Sequence, residues 1–587
     1  MRLRLAALFF FWAATGVAQP TTHDPWETFF EASGGLRTPR YDSTVAYCRR
    51  LAAFSPLVHF TSFGQSAQGR ALPLMIVSGE RSFTPASARQ AGKAVVLIQA
   101  GIHAGEIDGK DAGLMLLRDI VIRKQYPHLL DSLVVLFVPI FNVDGHERFG
   151  PYNRINQNGP AEMGWRTTAQ NLNLNRDYMK ADTPEMRALL KLFSTWLPDL
   201  YIDCHVTDGI DFQYDVTYTM ELGPNIDVAV SAWARDIFLP SVLSAVEASG
   251  HKVFWYVMPR EDSDLSKGFQ GGGISTPRFS TGYAALQNRP ALLIETHMLK
   301  PYRTRVDATY HFLKASLQAV RMSLSRLKDA VLAADRRLES ADPSVRVVPL
   351  RFKAGTGFHM RHFLGIKHRV EHSSLSGGTR IIYTGEPFEQ DVPFYDESIV
   401  EDSVRMPEAY IVPPELTYVP ELLRAHGIQF KQLPLPDSLD VESYRFTDVK
   451  FAERPYEGRQ SVTFIASPVR GRRHFPAGSL LIPTRQRAAK VLVHLLEPRS
   501  PDSFAAWGFM NGIFEQKEYA EEYVMEKAGA DLLAQQPALR QEFEERVRTD
   551  SSFAHTPAAR LNWLLQHSPW GDPAIGLYPV GRLHTNE

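Results

Sequence analysis

"VVLIQAGIHAGEIDGKDAGLMLL", residues 95–117, runs from an unbroken apolar segment into a Gly-rich turn bearing His103 and Glu106, and then into an amphipathic stretch. The same succession recurs along the first half of the chain. AVVLIQA (94–100), LVVLFVPIF (133–141), DLYIDCH (199–205) and ALLIETH (291–297) are all short, nearly continuous and rich in Val, Leu and Ile. Polar alternation is missing, as expected for strands covered on both faces of a mostly parallel sheet. Helix-length segments lie between them, at 107–123, 183–196 and 227–249. The expected fold class is therefore α/β, a mixed and largely parallel sheet with helices on both faces. Polar clusters sit at the ends of the apolar runs, and ligands of such sheets bind beyond the carboxyl ends of the strands.

From about residue 340 the texture changes. RVVPLRFKAGTGFHMRHFLGIKHRVEH, TRIIYTG, AYIVP, QSVTFIASPVRG and GSLLIPT are short strand candidates punctuated by turn residues. The last stretch, from SPDSFAAWGF onward, returns to helical spacing with Glu and Lys pairs. At 587 residues the chain exceeds what one hydrophobic core usually supports. The expected organisation is a signal peptide over 1–18, a catalytic domain over 22–335, a β-rich accessory domain over 340–497 and a helical C-terminal segment over 498–587.

The signal peptide is read from MRLRLAALFFFWAATGVAQP, in which Arg2 and Arg4 precede an apolar run and small residues end at Ala18. The run is short for a bilayer span, so export to a periplasm or the extracellular space is expected, with no integral membrane segment after cleavage. Only two cysteines, Cys48 and Cys204, are present, and Cys204 lies inside an apolar run as a buried free thiol would. A net charge of -1 with 22% charged residues favours neither nucleic acid nor an anionic surface as partner. Nothing in the composition speaks to oligomeric state.

An imidazole and a carboxylate three residues apart on a turn can face one cation, and zinc accepts both ligand types. His205, closing DLYIDCH, supplies a third ligand, and a His/Glu/His set leaves one tetrahedral position open, as in a catalytic site. Glu295 ends an apolar strand, where an unpaired carboxylate is costly without a purpose, and is the candidate base. Arg166 in GWRTTAQ, with Asn175 and Arg176 in NLNLNRDY, offers planar guanidinium forks and an amide suited to a carboxylate or an oxyanion.

The ordered series of H-x-x-E at 103–106, FNVDG at 141–145, Trp165 with Arg166, Asn175 with Arg176, His205 and Glu295 resembles the zinc carboxypeptidase family, the metallocarboxypeptidases of the carboxypeptidase A type, across residues 40–330. The resemblance implies that His103, Glu106 and His205 bind one Zn²⁺ per catalytic domain and that Glu295 is the general base. It implies that Arg166 polarises the scissile carbonyl, and that Asn175 and Arg176 grip the terminal carboxylate of a peptide substrate. Such a family also has a Tyr capping that carboxylate, some twenty residues before the catalytic Glu. Here the only Tyr of that window is Tyr283, twelve residues before Glu295, which either binds substrate from a reshaped loop or simply packs.

The function expected is thus an exported zinc metallocarboxypeptidase. Two rivals stand beside it: a zinc amidase or deacylase acting on acylamino acids or cell-wall peptides, and a non-catalytic binding protein on the same fold. Asp203 could orient the ring of His205, His297 could support Glu295, and Asp144 reads as a turn former.

Overall fold

The computed structural model describes residues 24–340 and 342–584; the expected signal peptide lies outside them. Ten strands build the first half: β1 Val58–Gln65, β2 Ala71–Ser78, β3 Ala94–Ala100, β4 Leu133–Val138, β5 Leu200–Thr207, β6 Val216–Met220, β7 Val253–Trp255, β8 Val257–Pro259, β9 Phe269–Gly271 and β10 Ala291–His297. Eight form one sheet in the order β1-β2-β4-β3-β5-β10-β6-β7. Its centre, β4-β3-β5-β10, is parallel throughout and consists of the four apolar runs. Antiparallel neighbours flank it, β2 beside β4 and β6 beside β10. Pro139, which has no N–H to donate, follows the last residue of β4, so that strand stops before the expected 141.

Side chains of the central strands alternate between two cores. Val96, Ile98 and Ala100 of β3 face one, together with helices Asp108–Val121, Tyr302–Met322 and Leu324–Glu339. Val95 and Leu97 face the other, under helix Pro184–Trp196. By length and composition alone, the helical run Val228–Ala248 is apolar enough to cross a membrane. Instead Val230, Trp233, Phe238 and Val242 are buried in the first core, and the Trp233 indole donates to Ser323 Oγ at 3.0 Å.

Buried residues before and after position 340 share a core. The second core continues into Tyr410, Leu422 and the fully buried helix Ala489–Leu496, so residues of the later part help cover the catalytic sheet. A long hairpin, His359–His372 with Thr379–Tyr395, adds itself to β9 through Phe394 and Tyr395. Phe363 and Phe394 of that hairpin pack with Phe212, Tyr214 and Phe269 of the first half. Burial of each such ring stabilises by ~2–3 kcal/mol, so the hairpin is anchored rather than tethered. The expected helical terminus also returns to sheet: Gly581–Leu583 pairs with Ala409–Val412 and touches the Asp437–Phe451 strand. Cys48 and Cys204 are buried free thiols, as expected.

Candidate active site

The carboxyl ends of the parallel strands deliver the polar residues to one place. After β3, Gly101 takes a left-handed conformation (φ 69°) that turns the chain, and the amide of Glu106 donates to the His103 carbonyl at 2.9 Å. A side chain at position 105 would begin 2.6 Å from Arg154 Cγ and 2.7 Å from the Gly164 carbonyl, so glycine there lets Arg154 cross the turn. His205, on β5, lies level with Glu295 on β10. Behind Glu295, the Thr296 hydroxyl donates to Asp108 Oδ2 at 2.5 Å, and the buried Arg305 pairs with the same carboxylate at 3.0 Å.

His103 Nδ1 lies 3.0 Å from Glu106 Oε1, and His205 Nδ1 lies 3.0 Å from Glu106 Oε2. One ligand atom from each of the three residues falls within 4.8 Å of the others, and all three residues are buried. Their outer nitrogens are also occupied. Asn173 Oδ1 faces His103 Nε2 at 3.2 Å, and Asp203 Oδ2 faces His205 Nε2 at 2.9 Å. With Nε2–H donating outward, each ring turns its Nδ1 toward the shared centre, the orientation that metal ligation requires. Asp203 is itself fixed, since its Oδ1 accepts from Gln99 Nε2 at 3.0 Å on the adjacent strand. Two imidazoles and a carboxylate in this arrangement fit Zn²⁺ and leave an open fourth position.

Charge is tightly balanced here. Burial lowers the His103 pKa to about 4 despite Glu106. Burial pulls the same way on His205, but Asp203 and Glu106 outweigh it and hold its pKa well above the usual range. Glu106 is desolvated too, yet His103 and Arg154 keep it ionised. Burial, helped by the negative field of Glu106, Asp203 and Asp208, pushes Glu295 up to about 8 against the pull of His205.

A cleft of about 490 Å³ opens over these residues. Arg166 lines it, with Nη1 3.3 Å from Glu106 Oε1. Asn175 and Arg176 line its far end. Sequence reasoning missed Arg154, whose Nη2 donates to Glu106 Oε1 at 2.7 Å from 48 residues away. It missed a second contribution from the later half of the chain as well. Arg176 Nε donates to the Tyr456 hydroxyl at 3.1 Å, while Glu457 Oε2 accepts the Asn173 amide at 2.8 Å. That loop is pinned by Arg459, which forks onto Asp182, and by Tyr456 stacked on Trp507 at 6° between planes. The Arg176 guanidinium also lies 4.4 Å from the Phe279 ring centroid, and its Nη1 donates to the Asn175 carbonyl at 2.7 Å.

Tyr283 is not brought to the cleft, which corrects its expected substrate-binding role. Its side chain is fully buried against Tyr178 and Phe193, with the hydroxyl 3.1 Å from His426 Nδ1 and accepting from Gln287 at 2.7 Å. It sits on helix Ser280–Leu286, whose Ser280 and Thr281 do line the cleft. At 100° per residue, position 283 points 200° away from 281. The tyrosine that does line the cleft is Tyr256, between β7 and β8, beside Thr207 and in the field of Glu295 and Asp208. His297 is buried in a stack on Phe212 and bonded to Asp211, away from the cleft lining. Asp144 is structural, accepting from Ser66, Gln68 and Arg70.

The zinc carboxypeptidase profile matches residues 44–235. Carboxypeptidase 2 of Trichophyton rubrum is 24% identical over 510 residues, covering 84% of this chain and 89% of that protein. Carboxypeptidase 2 of Trichophyton tonsurans is 25% identical over 490 residues, covering 81% and 85%. Among solved structures, the carboxypeptidase A of Helicoverpa armigera superposes with a TM-score of 0.36 at 16% identity, over 51% of this chain and 74% of that one. The metallo-carboxypeptidase of Burkholderia cenocepacia gives 0.36 at 16%, over 48% and 68%. Residues 44–235 thus match the zinc carboxypeptidase family, and the relatives that are similar to most of this chain are carboxypeptidases.

Proposed function

We propose that the protein is an exported exopeptidase that removes the C-terminal residue from peptides bearing a free carboxylate. The observation that carries this reading is the meeting, in one cleft, of a His/Glu/His ligand set, a buried carboxylate and a row of arginines. His103, Glu106 and His205 would hold one zinc ion, which when bound would supply acidification of water and polarisation of a carbonyl. Glu295 takes the proton of the attacking water and returns it to the leaving amine. Burial pushes its carboxyl up to about 8, near the range in which a carboxyl can both take and return a proton. Arg166 faces the oxyanion that develops at the scissile carbonyl, remaining charged throughout.

Arg176 and Asn175 receive the terminal carboxylate, with the Arg176 guanidinium held by the Tyr456 hydroxyl. Nearby cleft walls contributed by Thr219, Ile274, Ser275, Thr281 and Leu293 carry no charge, which suits a neutral terminal side chain. Export is supported by the order of basic, apolar and small residues over 1–18.

The test is mass-spectrometric digestion of a mixed peptide pool, each peptide offered as free acid and as C-terminal amide. Loss of single residues from the free acids alone is expected, with neutral termini removed first. Cleavage of neither form would overturn the exopeptidase reading and turn attention to acylamino acids and cell-wall peptides. Glu295→Gln should retain zinc and lose turnover by orders of magnitude.

A further inference from the structure

A second group of metal-ligating side chains lies outside the cleft. His251 sits in the turn leading into β7, and Asp307 and His311 are one helical turn apart on Tyr302–Met322. Asp307 Oδ2 is 3.0 Å from His251 Nε2, and Asp307 Oδ1 is 3.9 Å from His311 Nε2. One ligand atom from each of the three falls within 4.8 Å of the others. Zinc-to-ligand distances of about 2.0–2.2 Å put neighbouring donors roughly 3–4 Å apart, so only a small rotation of His311 is needed to share an ion.

The surroundings prepare His251 for this role. Its Nδ1 lies 3.0 Å from Asp215 Oδ2, and the Lys252 amide donates to the same oxygen at 3.4 Å. The Asp215 carboxylate holds the Nδ1 proton, as Asp203 holds the outer proton of His205, while Asp307 accepts the Nε2 proton, and Asp215 and Asp307 together raise the His251 pKa to about 9. An ion entering between Nε2 and Asp307 takes the place of that proton. His251 is buried while the Asp307 side chain is 56% exposed, so water can complete the coordination from the solvent side. One group works against the arrangement. Lys314 Nζ donates to His311 Nδ1 at 3.1 Å, and ligation through Nε2 requires Nδ1 to carry its own proton, so the ammonium must turn away.

We propose that His251, Asp307 and His311 form a second site for a borderline divalent transition ion, Zn²⁺ or Ni²⁺, tying helix Tyr302–Met322 to the turn before β7. Two imidazoles and one carboxylate are a mixed donor set that magnesium and calcium, which prefer all-oxygen shells, do not favour. None of the three residues lines the cleft, so the site is independent of the peptidase reading.

Zinc content after equilibrium dialysis tests it on the full protein. Two zinc ions per chain are expected for the unmodified protein and one for His311→Ala, with peptidase activity unchanged in that variant. Asp307→Asn, which retains a partner for His251, should likewise bind one. A doubly substituted His103→Ala, His205→Ala protein should also bind one, and its zinc should be lost on adding His311→Ala. Lys314→Gln should tighten the second site by about fivefold or more, because a cation no longer faces the ion. Zinc content that His311→Ala leaves unchanged, in the otherwise unmodified protein or in the His103→Ala, His205→Ala protein, would overturn the proposal, as would weaker binding in Lys314→Gln. The rival those results would leave is a hydrogen-bonded charge cluster of His251 with Asp215 and Asp307.

Discussion

Replacing Tyr456 with Phe removes one oxygen atom that touches the cleft residue Arg176 and isolates what the later half of the chain contributes to its placement. That oxygen accepts the Arg176 Nε proton at 3.1 Å. A hydrogen bond to a charged donor is worth ~1.5–3 kcal/mol when desolvated, but Tyr456 is 44% exposed and water can replace the hydroxyl, so about 1 kcal/mol is the reasonable loss. Phe keeps the ring stack on Trp507, and Arg176 keeps Phe279 and the Asn175 carbonyl. The fold should therefore survive and the guanidinium should only lose one of its restraints. If Arg176 grips the terminal carboxylate as proposed, it does so equally in ground and transition states, and the loss should appear in KM, raised about fivefold, with kcat within about twofold. The assay is steady-state hydrolysis of one tripeptide free acid across a KM-spanning concentration range. An unchanged KM, or a fall in kcat matching the fall in kcat/KM, would refute the idea that this loop positions Arg176.

Three further outcomes follow from the same coordinates. Asp203→Asn weakens the charge behind His205 and should lower zinc affinity by about 10–100-fold in a chelator competition, while leaving the sheet intact. Tyr283→Phe should leave KM unchanged and lower stability by ~1–3 kcal/mol in urea unfolding, because its hydroxyl partners the buried His426. Acid should destabilise the protein through His426 and His494, both buried with pKa values lowered to about 4 by desolvation. Between their unfolded value of 6.5 and 4 the unfolded chain binds more protons, so stability is full above pH 6.5 and falls on acidification by up to about 1.4 kcal/mol per pH unit for each group. His494→Gln should flatten that slope, measured by thermal melts between pH 7 and 5, and an unaltered slope would remove His494 from the account.

Which of these features a reader could extract from the chain depends on how far each signal travels along it. β3 over 94–100 and β10 over 291–297 match their apolar runs residue for residue, since a strand covered on both faces leaves its signature within seven consecutive positions. His205 and Glu295 drew notice as polar residues within or closing such runs, and His103 with Glu106 as the pair on the turn after one. But His297 closes its run equally buried and serves only a stack on Phe212 and a bond to Asp211. Tyr283 misled because counting back from Glu295 measures distance along the chain, while the face of helix Ser280–Leu286 is set by rotation about its axis. Arg154 and Tyr456 had no local mark at all. One reaches Glu106 only because Gly105 leaves room, and the other reaches Arg176 from 280 positions away. The same blindness holds for contacts across position 340. Texture changed there, but the pairing of β9 with residues 394 and 395 and the burial of Ala489–Leu496 in the second core are long-range contacts, invisible to any window of local pattern. Tyr456 and the hairpin on β9 therefore belong to one consequence: the later half of the chain is built into the catalytic half, and its removal should expose the second core and free Arg176 together.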